Sequence, residues 1–598
     1  MSPTPSVTVV DRGATVHVEP LVGSLARRAA VEPLVSRLAR RAAAPGPAFT
    51  HVDYRADRFG APNTLSWSEL YDRVLAVAAR IAELAGPGER VAVLCPQDLS
   101  YPIAFYAALA AGTIAVPLFA PEASSHSARL AGALVDCEAT VWLTTDDALV
   151  SVCALLEDPR IPRPADVIAV DSVDVADGRD FEPHAVQLSS PAYLQYTSGS
   201  TREPAGAVIT HEAVVTNVLQ GASAIGLDAE STCVGWIPFF HDMGLVLMVC
   251  APAVTGARSV FSTPFDFVQQ PRRWLEQLAA YPNVVTAAPN FAYEYAIDRL
   301  TDTDRAALDL SGVRVAMNGA EPVRARTIER FQDAFGPCGF APQAHRPSYG
   351  LAEATVFVTT STADAPPRIT SFSRSALMAG HAVAPVGDAD VIRLVSAGTP
   401  VGQDVCLVDP LDCSIRGDGE VGEVWVNGPN VATGYWGQPE RTRDEFDGHL
   451  VGGGEHLPLA GWLRTGDLGV RHDGELYITG RLKDLIIVDG KNHYPQDIEE
   501  TAQHAHPAVR PGRVAAFALS SDHGGDAIVI VLERARGQAA DSVDAQEISD
   551  AVRRAVSAAH DLKLHDVDVL AGSRVLRTSS GKIARTANRL RYLEGSES

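Results

Sequence analysis

The segment Tyr196-Thr-Ser-Gly-Ser-Thr-Arg-Glu-Pro-Ala-Gly206 crowds hydroxyl groups and glycine into one short loop. Thr197, Ser198, Gly199, Ser200 and Thr201 could turn backbone N–H groups and hydroxyls toward the oxygens of a polyphosphate. Apolar residues at Ala192 to Leu194 and Ala207 to Ile209 place a strand on either side. The loop lacks the G-x-x-x-x-G-K-[ST] spacing of a Walker A motif. On composition alone, a Ser/Thr/Gly stretch of this kind is more often an ordinary turn.

A second chemical signal is a count. The chain has four lysines, Lys483, Lys491, Lys563 and Lys582, and every other basic residue is arginine. A GC-rich coding sequence explains that bias without selection. It still has a consequence: a step that needs a compact, flexible ammonium must take it from the C-terminal end, because the planar guanidinium is no substitute. Lys582 closes the polar run Thr578-Ser-Ser-Gly-Lys582. An isolated lysine is usually a solvated surface charge.

These groups need a scaffold. From about Ser66 onward helical periods alternate with apolar strands. Helices are expected at Leu70 to Leu84 and Ala104 to Ala111, and strands at Arg90 to Cys95, Ile114 to Phe119 and Thr140 to Thr144. That alternation is the mark of an α/β domain with a largely parallel sheet. Between Val401 and Thr465 short strands and glycines indicate a β-rich subdomain, and α+β units follow Arg481. At 598 residues the chain exceeds one core, so a large N-terminal domain, 1–482, and a small C-terminal one, 483–598, are expected. A near-repeat at residues 19–43 reads as two short amphipathic surface helices, each opened by a proline.

Composition excludes several classes. The charge is −23, from 50 basic and 73 acidic residues, which repels nucleic acid in bulk. The most apolar stretch, Ala104 to Ala120, is broken by Gly112 and Pro117 and is too short to span a bilayer. No secretory signal opens the chain. The eight cysteines form no C-x-x-C pair, so free, mostly buried thiols in a reducing cytoplasm are expected.

Further blocks follow the loop: Asn318-Gly-Ala-Glu-Pro-Val323, Tyr349-Gly-Leu-Ala-Glu-Ala-Thr355, Arg464-Thr-Gly-Asp-Leu468, Gly480-Arg-Leu-Lys-Asp484 and Ser579-Ser-Gly-Lys-Ile583. Six blocks in this order resemble the adenylate-forming superfamily of acyl-CoA synthetases, peptide-synthetase adenylation domains and luciferases. Arg202 and Ala205, where relatives commonly carry glycine and lysine, resemble its fatty acyl-AMP ligases. So do Trp236-Ile-Pro-Phe-Phe-His-Asp-Met-Gly244, Asn492-His-Tyr-Pro-Gln-Asp497 and extra sequence at about 364–402. In that subgroup the insertion packs on the large domain and disfavours the swing that admits coenzyme A.

The resemblance implies roles. Thr197 to Thr201 would hold ATP phosphates. Glu353 would hold Mg²⁺, a hard cation suited to one carboxylate plus phosphate oxygens. Tyr349 would stack on adenine, with Gly319, Ala320 and Gly350 allowing close approach. Asp467 would accept the ribose hydroxyls, with Arg481 as a second ribose contact. Lys483 falls at the hinge. Lys582 would bridge carboxylate and α-phosphate as pyrophosphate leaves, and His241 would orient the carboxylate at the mouth of an acyl tunnel walled by Trp236 to Leu247 and Ala288 to Tyr295. Taken singly, each residue reads equally as a turn, core or salt-bridge residue.

The implied function is activation of a medium- or long-chain fatty acid to acyl-AMP, then transfer to the phosphopantetheine of an acyl carrier protein or of a polyketide or nonribosomal peptide synthase carrier domain. Arg553, Arg554, Arg574, Arg577, Arg585, Arg589 and Arg591 offer a basic patch for an acidic carrier, with a solvated helix face as the simpler reading. The rivals are a fatty acyl-CoA synthetase and a catalytically silent nucleotide-binding scaffold.

Overall fold

The computed structural model of the chain describes residues 31–121, 127–196, 204–387, 390–452, 457–488, 491–519, 527–535, 537, 543–572, 574–578 and 582–596. The alternation of helix and strand builds two largely parallel sheets. One runs Asp166–Ala169, Val141–Thr144, Arg90–Val93, Ile114–Pro117, Pro191–Tyr196, Gly206–Thr210, antiparallel only at its last pair. Its inner strands are buried at nearly every position, as unbroken apolar runs in a doubly covered sheet must be. Helix Trp67–Ala82 starts with a capping box between Ser66 and Glu69, and helix Ser100–Ala110 is apolar on every side and buried between elements.

The other sheet has nine strands. Its middle six, Pro47–Asp53, Arg258–Phe261, Thr232–Gly235, Val284–Ala288, Val313–Asn318 and His345–Tyr349, are parallel neighbours in that order. Ligand crevices open at the carboxyl ends of such strands. Those ends feed Trp236 to His241, Gly319 and Gly350 into one region.

The β-rich stretch is a four-stranded antiparallel sheet, Asp404–Val408, Val421–Asn427, Leu463–His472 and Glu475–Arg481, and so runs past Thr465 to Arg481. Within 364–402 the strands Ile369–Ser373 and Val391–Val395 form a hairpin. Arg393 holds Glu329 at 2.5 Å and Thr370 meets the Tyr477 hydroxyl at 2.8 Å, fixing the hairpin to the body of the chain. Helix Arg374–Met378 also lies against the strand Lys491–His493.

After Asp484 the chain closes separate cores. Helices Pro495–His504 and Ala545–His560 pack Ile498, Ile548 and Val552 on one face of the sheet Val509–Leu519, Ala527–Arg534, Leu564–Leu570. Phe517, Val531 and Val575 fill the other face beside Tyr592. Of the near-repeat, the first copy lies outside the described residues. The second forms helix Leu34–Arg41, and it is more than surface decoration: Leu34, Val35 and Leu38 are buried in the main core.

Five cysteines are buried, two are intermediate and Cys153 is exposed; all are free. No helix among the described residues is long and apolar enough to cross a membrane.

The basic patch expected near the C-terminus is not one face. Arg553 donates to the Leu564 carbonyl at 2.6 Å, and Arg591 to the Arg574 carbonyl. Arg585 forks onto Glu499 at 2.7 and 2.8 Å and reaches Asp484 at 2.9 Å. Its guanidinium answers two largely buried carboxylates, so it is a structural cation. Arg585→Met should therefore destabilise the small domain by about 3 kcal/mol, read as a lower opening free energy for amide exchange in Ala527–Arg534, because it strands buried charge. A loss as small as that of an exposed pair would contradict the assignment.

Candidate active site

The chain leaves strand Thr232–Gly235 and turns sharply before His241. The His241 amide donates to the Pro238 carbonyl at 3.0 Å and the Leu245 amide to the His241 carbonyl at 2.8 Å. Only glycine fits at 244, where a Cβ would lie 2.1 Å from the Pro238 oxygen. The turn sets the His241 Nδ1 2.6 Å from the Asp242 Oδ1. Residues Leu245–Cys250 continue as a π-helix, a rare wide turn common at functional sites. Hydroxyls of Ser259 and Tyr106 donate to its Met248 and Val249 carbonyls at 2.8 and 2.7 Å.

Two adjacent strand ends supply the next wall. A Cβ on Gly319 would come 2.9 Å from the Ser348 carbonyl oxygen, and Ala320 holds φ +69°. After Tyr349, a Cβ on Gly350 would lie 1.6 Å from the Val356 carbonyl oxygen. Val356 is brought there by a γ-turn: its amide donates to the Ala354 carbonyl at 2.9 Å across Thr355, at φ 68°, ψ −63°. This is the strained hand of that turn and costs about 1–3 kcal/mol. Thr355 is held in it by complete burial and by a 2.7 Å bond from its hydroxyl to the Asn430 carbonyl.

Glu353 precedes that turn. Its Oε1 accepts from the Tyr435 hydroxyl at 2.8 Å, and the same hydroxyl lies 2.7 Å from Glu445 Oε2. One proton thus serves two carboxylates. Burial lifts the Glu353 carboxyl above its ordinary value. Asp467 accepts from the Tyr349 hydroxyl at 2.9 Å and from Arg481 Nε at 2.7 Å, the arginine lying opposite it in the strand register. Tyr349 is thereby tied through its hydroxyl to the carboxylate.

Lys582 comes from the C-terminal part of the chain, where the Thr578 amide donates to the Lys582 carbonyl at 2.8 Å. It lines a cavity of about 1110 Å³ together with His241, Tyr349, Glu353, Asp467 and Arg481. Gly319, Ala320 and Gly350 border the same space. Burial, then Arg481, lower the ammonium's pKa, while Asp242, Glu321 and Asp467 pull the other way. Burial alone would push Asp242 up, yet His241 and Lys582 hold it below the ordinary carboxylate value. Lys483 lines the cavity too, lowered by burial and then by Arg481, so Lys582 is not the lone ammonium there.

Thr197, Ser198, Gly199, Ser200 and Thr201 lie outside the described residues, as does Arg202. The apolar end of the cavity corrects one expectation. Its walls are Met243, Val246 and Leu247 on one side and Val218, Ala222 and Ile225 of helix His211–Ile225 on the other. Ala288 and Tyr293 instead bury their side chains in the core with Trp274 and Phe331. The sequence also left Asp242, Glu321 and Tyr435 unassigned. Asp242 had a signal in its adjacency to His241; Tyr435, some eighty residues from Glu353, had none.

A family profile described as AMP-binding enzyme matches residues 39–436. The long-chain-fatty-acid–AMP ligase FadD32 of Mycolicibacterium smegmatis is 42% identical over 584 residues, covering 92% of each chain. A 4-hydroxyphenylalkanoate adenylyltransferase of Mycobacterium tuberculosis is 39% identical, over 96% of this chain and 94% of that one. Among solved structures, the fatty acyl-adenylate ligase of L. pneumophila, in complex with acyl adenylate and pyrophosphate, superposes with a TM-score of 0.72 at 32% identity, over 94% and 96% of the two chains.

Two outcomes follow from the geometry. Burial raises the Asp497 carboxyl from 3.8 to about 7 at the cavity rim. The folded chain binds that proton more tightly than the unfolded one, so its stabilising contribution is complete below 3.8 and is lost as pH rises through about 7. Unfolding free energy should fall by about 1 kcal/mol per pH unit between roughly pH 5 and 7, and Asp497→Asn should flatten that slope; an unchanged slope would exclude this group. Gly350→Ala should lower stability by at least about 3 kcal/mol in a thermal melt, because the Val356 carbonyl must move.

Proposed function

The chain belongs to the AMP-binding enzyme family and, within it, to the fatty acid–AMP ligases, and on that premise we propose that it joins a medium- or long-chain fatty acid to ATP as acyl-AMP. The observation that carries this reading is one continuous cavity. Its lining joins polar groups, Lys582, His241 and Asp467 among them, to the apolar side chains of Val218, Ala222, Ile225, Val246 and Leu247. A chain with a carboxylate head and an alkyl tail matches that division.

In the reaction the fatty carboxylate oxygen attacks the α-phosphorus of ATP. The bond to the bridging oxygen breaks and pyrophosphate leaves with its electrons. Two anions must approach, and the Lys582 ammonium offsets their repulsion in a buried site where such a charge acts strongly. His241, oriented by Asp242, positions the carboxylate at the channel mouth. Asp467 keeps lone pairs for the ribose hydroxyls, with Arg481 fixing its orientation. Tyr349, Gly319, Ala320 and Gly350 form the adenine slot, and Thr197 to Thr201 the phosphate loop.

Glu353, sharing one proton with Glu445, fits Mg²⁺ as a single carboxylate ligand completed by phosphate oxygens and water. When bound, that ion supplies charge neutralisation at the leaving pyrophosphate. No group of three or more His, Cys, Asp or Glu among the described residues could cage a metal, and a phosphate-borne ion needs none.

We further assign residues 483–598 as the mobile domain, hinged at Lys483, which after adenylation presents the acyl-AMP to the thiol of a carrier-borne phosphopantetheine. The acyl carbon gains sulfur and AMP departs. The hairpin within 364–402, fixed to the body by Arg393 and Thr370, supports preference for a carrier over free coenzyme A. Mass spectrometry with ATP, dodecanoate and coenzyme A separates the readings: acyl-AMP accumulates from a ligase, acyl-CoA from a synthetase.

Lys582→Ala should cut fatty-acid-dependent pyrophosphate exchange by ~10³-fold, about 4 kcal/mol of barrier, with the KM for ATP little changed. A loss under tenfold would remove Lys582 from the reaction.

A further inference from the structure

The hairpin that carries Lys582 begins at Arg577, bridged to Ile583 across the turn. Arg577 makes no ion pair with the acid nearest it in its own part of the chain. Inside the small domain the nearby Glu533 is completely buried and already takes Arg510 at 2.7 Å, Arg513 at 3.9 Å and the Val575 amide at 2.7 Å. Glu533 still acts on Arg577 at a distance, but the guanidinium itself stands 5.4 Å over the Phe291 ring, with its Nε buried and not hydrogen-bonded.

Phe291 is rigidly placed. Trp236 and Phe267 set their rings against it at 6.1 and 6.4 Å. Its neighbour Asn290 donates to the Pro322 carbonyl at 2.7 Å and accepts from the Asn318 side chain at 3.0 Å and the Arg324 amide at 3.2 Å. Those bonds clamp the start of helix Asn290–Arg299 to the loop that holds Glu321. The aromatic face and the Glu321 carboxylate therefore form one receptor for a cation. Burial and then Arg513 bring Arg577 down to about 10, with Glu321 the larger and Glu533 the smaller opposing charge.

We propose that Arg577 is a positioning residue that docks the Lys582 hairpin on the large domain by laying its guanidinium on Phe291 beside Glu321. Arg577 touches no reacting atom. Its contact stabilises the arrangement with Lys582 in the cavity, and it must break when the small domain swings. The proposal rests on the adenylation reading above, which assigns Lys582 its task.

The test is a double-mutant cycle on fatty-acid-dependent pyrophosphate exchange by the full chain. Arg577→Met should lower kcat about tenfold and leave the KM for ATP within about twofold. Phe291→Leu should do the same to a lesser degree, and the double variant should be no slower than Arg577→Met, since both remove one contact. Losses that multiply, or an Arg577→Met enzyme near wild-type rate, overturn the proposal. A second readout separates its failure from that of the adenylation reading. Limited trypsin digestion should release the fragment after Lys483 faster from Arg577→Met than from wild type. If wild type shows no exchange, the reaction assignment falls while faster release still supports docking; unchanged release overturns the docking itself.

Discussion

Burying an ammonium costs free energy unless negative charge meets it, and this site is organised around that requirement. Lys582 enters a cavity whose walls bring Asp242, Glu321 and Asp467 within electrostatic reach. The three acids come from separate elements: Asp242 from the turn after Thr232–Gly235, Glu321 from the loop after Val313–Asn318 and Asp467 from within the strand Leu463–His472. Two of them have further partners, Asp242 with His241 and Asp467 with Tyr349 and Arg481. These two carboxylates, which receive the ammonium, thus also fix the side chains beside it. Because the cation and most of its counter-charges lie on different parts of the chain, the catalytic arrangement depends on how those parts dock.

That docking needs rigid walls, and the backbone supplies them through tight passages. Gly244 lies against the Pro238 carbonyl, Gly319 against Ser348 and Gly350 against Val356. Thr355 is held at positive φ beneath Glu353. Strain of this kind persists where burial over-determines the conformation, and each instance sits within a few residues of a group facing the cavity. The π-helix at Leu245–Cys250 extends the same logic to the apolar end, where hydroxyls of Tyr106 and Ser259 hold two of its carbonyls.

Much of this was legible in the residues. Periodicity located the helices and strands named between Leu70 and Thr144 to within a few positions, because each buries a continuous or one-sided apolar surface, but it passed over the strands Pro47–Asp53 and Ala61–Ser66. The polar blocks were legible from residue type and order, and the structure gathers Gly319 to Glu321, Tyr349 to Glu353, Asp467, Arg481 and Lys582 around one space. Distance hid the rest. Pairing of Tyr435 with Glu353, the wall from helix His211–Ile225 and the fork of Arg585 onto Glu499 join residues far apart in sequence, with nothing local to mark them. Charge clustering misled for the same reason: the C-terminal arginines look alike in sequence, but Arg585 pairs with Glu499 and Asp484 while Arg577 lies over Phe291.

The account stands on Lys582 occupying the nucleotide cavity, and the scarcity of lysine makes that directly measurable. Amine labelling can be followed at all four lysines by mass spectrometry, with and without an acyl-sulfamoyl adenosine that mimics the adenylate. Lys491 and Lys563 are exposed and serve as internal references. Lys582 should label slowly and be protected further by the analogue while the references stay unchanged. If Lys582 labels as fast as Lys563 whether or not the analogue is bound, the ammonium does not work in that cavity.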